Sequence, residues 1–557
     1  MREIRALVLA LLAVYPVCAS REPVRTRHAM VVTREPIATG VGVAVLKSGG
    51  NAVDAAVAVG FALAVTHPSA GNLGGGGFML VRMADGRSVF LDFRERAPLA
   101  ATRDMYLDEK GQARDWSLVG YLAAGVPGTV KGLEAAHARF GRMPWAGLVS
   151  PAVRLAREGF PVSYDLARSL RSHCDLFEPF PDSRRIFLNR GMYYDPGDRL
   201  IQTDLAGTLD RIEKYGAKGF YEGKTARLLA EDMKANGGLI TEEDLRQYTV
   251  VERTPLKGSY RGHDILTAPP PSSGGIGLLQ MMGMLETTGY HQTGAGSAAT
   301  IHWVAEAQRR FYADRSQYLA DPDFVQVPVS KLLSKSYIDE RRKTIDPARA
   351  STSTEIHPGK PESFSESAET THYSVVDEEG NAVAVTYTLN GGFGNGVTAK
   401  GLGFLLNNEM DDFSAKPGQP NLYGAIQGEA NAIQPRKHPL SSMTPTIVTR
   451  EGELRMVVGS PGGTTIINTV LEVILNVIDF RMNIQKAVEF PRFHHQWMPD
   501  ELRVESDFSP DTIDLLTARG HKIRKVAQQG EVCAILWDGS WLQGAADGRT
   551  EATAAGY

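Results

Sequence analysis

The chain has 557 residues, 43% of them hydrophobic and 22% charged, the balance of a folded protein with material for a large core. That excludes a chain mostly disordered, collagenous or built of membrane spans. With 60 Lys and Arg against 64 Asp and Glu the formal charge is −4, so nothing electrostatic draws the protein to nucleic acid or acidic lipid.

Residues 1–19 read as a signal peptide. Arg2 and Arg5 give a basic start, Ala6 to Val14 an apolar run broken by Pro16, and Val17-Cys18-Ala19 the small residues that precede cleavage. The run is shorter than the roughly 20 apolar residues a bilayer demands, and Tyr15-Pro16-Val17 is a poor context for a lipid on Cys18. The mature chain is therefore expected from residue 20 and exported, to the periplasm in a bacterium. Only Cys174 and Cys533 then remain, too few for a disulfide framework. The sequence leaves open a single bridge between them.

Asn51 to Thr66 is rich in Ala and Val, carries Asp54 and stops at His67-Pro68, which predicts a buried helix. Ser150 ahead of Pro151-Ala152-Val153 predicts a helix start, as does Thr241 ahead of Glu242-Glu243-Asp244. Ala299 to Tyr318 is expected to be amphipathic. Gly40-Val41-Gly42 and Gly74 to Gly77 lack the residues that complete a phosphate loop. His494-His495 are adjacent rather than one helical turn apart, so they read as structural and no zinc site is expected. Ser460 lacks the Gly-x-Ser-x-Gly elbow of a serine hydrolase.

Residues 351–369 change the composition abruptly: seven of nineteen are Ser or Thr and four are Glu. Such a segment buries too little to offset its ordering entropy and reads as a linker. Thr370 to Val376 then alternates, Asp377 to Asn381 turns, and Ala382 to Thr388 alternates again, which predicts a hairpin. Gly380 suits the left-handed third position of the loop Glu378-Glu379-Gly380. In that register Thr370 lies opposite Thr388, their Cβ atoms roughly 4.5 to 5.5 Å apart. Leu454 to Val458 reads as a strand and Thr465 to Asp479 as an apolar helix, with Gly462-Gly463 in the turn between them.

Thr370-Thr371-His372-Tyr373-Ser374 after a soft linker resembles the self-cleavage site of the gamma-glutamyltransferases, members of the N-terminal-nucleophile hydrolases. The likeness runs over nearly the whole mature chain and is to bacterial periplasmic members. It takes in Gly71 to Phe78, Asp92-Phe93-Arg94-Glu95 and Gly125-Val126-Pro127-Gly128. Beyond the break it takes in Asn407-Asn408-Glu409-Met410-Asp411-Asp412, Pro439 to Met443 and Gly459-Ser460-Pro461-Gly462-Gly463. Two departures stand out. Ala546-Asp547-Gly548-Arg549 occurs where the family often has Asp-Pro-Arg, and Gly391-Gly392 replaces larger residues after Asn390.

The resemblance implies an α+β fold, a four-layer αββα sandwich made by both fragments of a chain cut between Glu369 and Thr370: a large subunit, 20–369, and a small one, 370–557. It implies that Thr370 is the nucleophile, its freed amine, ordinarily near pKa 7.7 to 8.0, serving as its own base. Thr388 would orient it and Gly462 with Gly463 would hold the oxyanion. Arg94 is suited to fork the donor's α-carboxylate, with Ser441 and Ser442 adding hydroxyls. Glu409, Asp412 and Asn390 are suited to its ammonium. Tyr423, within Pro417 to Pro435, resembles part of a lid over the donor pocket. The expected reaction passes the gamma-glutamyl group of glutathione and related amides to amino acids, dipeptides or water, without a metal or organic cofactor. Two rivals predict otherwise: a glutaryl-type acylase on β-lactam side chains, whose donors lack the ammonium, and a non-catalytic exported solute-binding protein, which stays uncut.

Overall fold

The computed structural model describes residues 21–357, 370–416 and 427–557. Two seven-stranded antiparallel sheets lie face to face. The first runs Thr553–Gly556, Met30–Thr33, Thr371–Val376, Ala382–Thr388, Gly76–Arg82, Ser88–Phe93, Val251–Arg253. The second runs Val24–Thr26, Leu542–Ala546, Cys533–Trp537, Glu453–Gly459, Thr446–Arg450, His263–Thr267, Leu256–Tyr260.

The period-two alternation of the strands sets the layers. On the first sheet Val31, Met79, Val81, Leu91, Tyr373, Val375, Val383 and Val385 join a core with helices Pro36–Lys47, Ala52–Thr66 and Thr129–Phe140. Their neighbours Val32, Phe78, Leu80, Phe90 and Ala384 share the other core with the second sheet and with helices Gly274–Leu285, Ala298–Tyr318 and Thr465–Ile478. The result is the expected four-layer αββα sandwich.

The central hairpin is fastened on both faces. On the helix side, the Tyr373 and Tyr387 hydroxyls donate to the Ala56 and Gly60 carbonyls, each at 3.0 Å. Ala52–Thr66 is buried along its whole length, and Asn51 starts it by accepting from Val53 and Asp54 N–H at 3.0 Å. Between the sheets, His372 Nδ1 meets Thr386 Oγ1 at 2.8 Å and Nε2 meets Ser374 Oγ at 3.1 Å. Ser374 in turn donates to the Cys533 carbonyl of the facing sheet at 3.0 Å. Burial pushes His372 down to about 3, so it is a neutral strut at physiological pH. A Cβ on Gly459 would lie 2.2 Å from the His372 ring, which is why that strand crosses on glycine.

Several expectations need correcting. Ser150 does not cap a helix: the helix is Trp145–Glu158 with Pro151 inside it. Leu148 and Val149 are fully buried, so packing extends the helix ahead of the proline signal. Ala298–Tyr318 is not amphipathic but buried nearly all round. Among its charges, Glu306 accepts Arg310 at 2.7 Å and Arg309 at 3.1 Å, and Asp314 pairs with Arg341 of a neighbouring helix at 3.0 Å. The soft segment is anchored at its start. Ser353 is fully buried, its hydroxyl meets Asp500 at 2.7 Å, and Trp497 Nε1 donates to the Ser353 and Ile356 carbonyls at 2.9 Å. Residues 358–369 lie outside the described part. Cys174 and Cys533 are both free thiols. Thr241 does start its helix, in a reciprocal box with Asp244.

Candidate functional site

Thr370 immediately precedes the strand Thr371–Val376, whose register with Ala382–Thr388 runs from Thr371↔Tyr387 to Val376↔Ala382, with Gly380 left-handed at φ +85°. One step further out, Thr370 Oγ1 stands 3.3 Å from Thr388 Oγ1, and Thr370 is 7% exposed. Thr388 is held on every side. Its hydroxyl accepts the Asn390 N–H at 2.8 Å, and its carbonyl accepts Asn72 Nδ2 at 2.8 Å. A Cβ on Gly75 would fall 2.0 Å from that carbonyl, and one on Gly77 2.4 Å from the Thr386 carbonyl, so these two positions are glycine where strand Ala382–Thr388 passes against them. Asn390 sits left-handed at φ +76° with its amide donating to the Asn408 carbonyl at 3.0 Å.

Asn407 ties the scattered strings into one frame. Its Nδ2 donates to the Gly74 and Gly125 carbonyls at 2.8 Å, and its Oδ1 accepts from Gly125 N–H at 2.9 Å and Glu409 N–H at 3.0 Å. That fixes the one-turn helix Glu409–Asp412 opposite Arg94, which leaves the end of strand Ser88–Phe93. The Arg94 guanidinium contacts the Glu409 carboxylate through Nη1 and Asp412 through Nη2, the latter at 2.5 Å, with Glu95 4.0 Å away. Arg94 and Glu409 are each 1% exposed, far from the solvated surface pairs that composition alone suggests. Burial works against the Arg94 charge, but Glu409, Asp412 and Glu95 outweigh it and hold its pKa above the ordinary arginine value. Burial likewise pushes Glu95 up to about 7 and Glu409 well above the usual carboxylate range, Arg94 offsetting part of each shift. One guanidinium faces three carboxylates. The cage thus carries an excess of acceptors suited to a cationic group, beside a cation suited to an anionic one.

Ser441 and Ser442 close the cage from the second sheet's side. Arg315, which no motif singled out, positions both. Its Nη2 donates to Ser442 Oγ at 3.1 Å, and its Nε donates at 2.9 Å to Ser273, whose hydroxyl bonds the Ser441 carbonyl at 2.7 Å. The only signal for it in the sequence is a helix too rich in charge to be buried without a polar purpose. Gly462 and Gly463 make the turn between strand Glu453–Gly459 and helix Thr465–Ile478 at φ +130° and +55°. Thr465 N–H and Ile466 N–H bond back to their carbonyls at 3.0 and 3.2 Å, leaving the turn at a helix start, where Gly462 and Gly463 each share a cavity lining with Thr370.

One small cavity is lined by Thr370, Thr388, Asn390, Gly463 and the cage residues Arg94, Glu409, Asp412, Ser441 and Ser442, with Arg315. Glu369 and Tyr423 lie outside the described residues. The two departures are tied down by other means. Asp547 accepts from Arg492 at 2.6 Å and from Val532 N–H at 2.9 Å, and Gly391 N–H bonds Asn408 Oδ1 at 2.8 Å. His494 is buried between Asn468 and Gln496, at 2.6 and 2.8 Å.

The profile described as gamma-glutamyltranspeptidase matches residues 38–557. The chain is 51% identical to the glutathione hydrolase proenzyme of Escherichia coli (strain K12) over 540 residues, 96% of this chain and 93% of that one. It is also 51% identical to the glutathione hydrolase proenzyme of Pseudomonas sp. (strain A14), over 93% of this chain and 90% of that one. Among solved structures, the cephalosporin acylase from Bacillus halodurans superposes with a TM-score of 0.87 at 28% identity, covering 99% of both chains. With a profile match over most of its length and relatives at this identity, the chain belongs to the gamma-glutamyltranspeptidase family.

Proposed function

We propose that the protein is a self-processing gamma-glutamyltransferase and glutathione hydrolase. The observation that carries the reading is the pairing of Thr370 with Thr388 at 3.3 Å in the cavity that also holds Arg94, Glu409 and Asp412. In the uncut chain the Thr370 hydroxyl adds to the Glu369 carbonyl, the peptide C–N bond breaks, and an ester forms. Water then releases residues 20–369 from residues 370–557, which stay together as a heterodimer. The freed Thr370 amine takes the proton of its own hydroxyl.

The mature site then works on a gamma-glutamyl amide. Arg94, Ser441 and Ser442 hold the α-carboxylate, while Glu409, Asp412 and Asn390 hold the ammonium. Thr370 Oγ1 attacks the γ-carbonyl, and Gly462 and Gly463 stabilise the oxyanion. The proton passes to the departing amine, and water or an incoming amine resolves the ester. Tyr423 belongs to the lid in this reading. The two acidic residues of the cage favour an ammonium-bearing donor over a glutaryl one, although acylases are among the relatives. The reading includes export, on the basic, apolar and small-residue start at 1–19. Among the described residues no helix is long and apolar enough to cross a membrane.

The test compares wild type with Thr370→Ala on a denaturing gel and in turnover of a gamma-glutamyl anilide. Two fragments and turnover in the wild type, with one chain and no turnover in the variant, support the assignment. A variant that still splits before residue 370, or a wild type that stays whole, refutes it.

A further inference from the structure

The carboxylate side of the cage is assembled from two sheets. Arg94 leaves strand Ser88–Phe93 of the first, whereas Ser441 and Ser442 lead into strand Thr446–Arg450 of the second. In the reading above, cleavage also puts them in different fragments, so no backbone fixes the distance between them. The two carbonyls that the second segment turns to Arg94, Pro439 to Nε and Leu440 to Nη2, stand at 3.4 Å. Contacts of that length do not by themselves set where the two serines lie.

His438 spans the gap. It is 1% exposed, and its backbone N–H and both ring nitrogens are used. The N–H donates to Asp321 Oδ2 at 2.8 Å. Nδ1 lies 3.0 Å from the Glu95 carbonyl, and Nε2 accepts from Arg96 Nε at 3.1 Å. A carbonyl only accepts and a guanidinium N–H only donates, so the ring is neutral with its proton on Nδ1. Burial, with Arg96 and Arg253 nearby, holds its pKa below the ordinary value against the pull of Asp92 and Asp321.

The anchors on either side are themselves joined. Asp92, fully buried, accepts the Arg94 N–H at 3.1 Å and Arg253 Nε at 2.7 Å. Asp321, also fully buried, takes the Asp323 N–H at 3.0 Å beside that of His438. Arg253 forks the Asp323 carboxylate at 2.7 and 3.2 Å, and so links the support of Arg94 to the support of His438. Resting on the gamma-glutamyl reading above, we propose that His438, braced by Asp321, is a positioning residue for the donor: it holds Ser441 and Ser442 against Arg94 so that all three close on one carboxylate.

The experiment measures kcat and KM for a gamma-glutamyl anilide in wild type, His438→Leu and His438→Asn, each shown on a gel to be fully processed. Leucine takes both ring contacts away, while asparagine keeps an N–H where Nδ1 stands and can still reach the Glu95 carbonyl. Loss of the clasp weakens the ground state and the transition state alike. His438→Leu is therefore expected to raise KM about ten-fold with kcat unchanged, and His438→Asn to bring KM most of the way back. An unchanged KM in His438→Leu, a loss that falls on kcat alone, or an asparagine variant as impaired as the leucine one overturns the proposal and leaves the donor chemistry standing. Where His438→Leu does not fold, Arg96→Met removes the Nε2 partner instead and is expected to raise KM about three-fold; an unchanged KM there overturns the proposal. Absence of any anilide turnover by the wild type overturns the gamma-glutamyl reading itself, and this proposal with it.

Discussion

Asp412→Asn isolates what the cage recognises. Glu95, Glu409 and Asp412 surround the single Arg94 guanidinium, and Asp412 touches it at 2.5 Å while lining the cavity. The substitution keeps the side chain's shape and removes one negative charge. A gamma-glutamyl donor brings an ammonium into the cage and loses one charge-assisted hydrogen bond, worth about 1.5–3 kcal/mol. That lowers kcat/KM by roughly 10- to 150-fold. A glutaryl donor has the same chain and carboxylate end but no ammonium, so it loses nothing from that contact. It also meets a cage with one carboxylate fewer. The ratio of kcat/KM for gamma-glutamyl over glutaryl anilide is therefore expected to fall at least about ten-fold. The assay measures both substrates on wild type and variant, each checked on a gel for complete processing. Equal losses on both donors, leaving the ratio unchanged, would refute the reasoning and reduce Asp412 to a prop for Arg94.

Thr388→Val removes the acceptor of the buried Asn390 N–H, bonded at 2.8 Å, an unsatisfied donor costing about 1–3 kcal/mol. The melting temperature and the rate of fragment appearance should both drop. Gly462→Ala would bring a Cβ 2.3 Å from Thr465 Oγ1 at φ +130°. Loss of the oxyanion donors then lowers kcat by about 10²- to 10³-fold, whereas Gly539→Ala, at φ +101° with nothing within 4 Å, leaves kcat as it was. Glu95 is raised by burial from 4.5 to about 7. Between those values the folded protein keeps a proton that the unfolded chain gives up, so its contribution to stability is lost as pH rises through that window. In the uncut Thr370→Ala background, Glu95→Gln should flatten the decline of melting temperature from pH 5 to pH 8, and an unchanged slope counts against the assignment.

The hairpin was legible because its register hangs on one loop whose left-handed Gly380 fixes the pairing, and a strand's period of two carries that register to Thr388 without further information. The cage residues were legible as strings, but not their ionic state. Nothing in Arg94 or Asp412 as letters says that they are buried against each other, which depends on Asn407 bridging Gly74 and Gly125. Arg315 escaped because it acts across the fold from a helix with no motif. The start of Trp145–Glu158 escaped because Ser150-Pro151 has the local look of a cap, while burial of Leu148 and Val149 is a tertiary effect. Composition misjudged 351–357 for a similar reason: a serine is cheap to bury when Asp500 and Trp497 meet both its hydroxyl and its carbonyl.

The account rests on a backbone bond given up so that one threonine gains its own base. N-terminal sequencing and intact mass of the purified, active protein test that directly. The smaller fragment is expected to begin Thr370-Thr371-His372 and to have the mass of residues 370–557. Full activity in an uncut chain, or in a protein whose smaller fragment begins at any other residue, would contradict it.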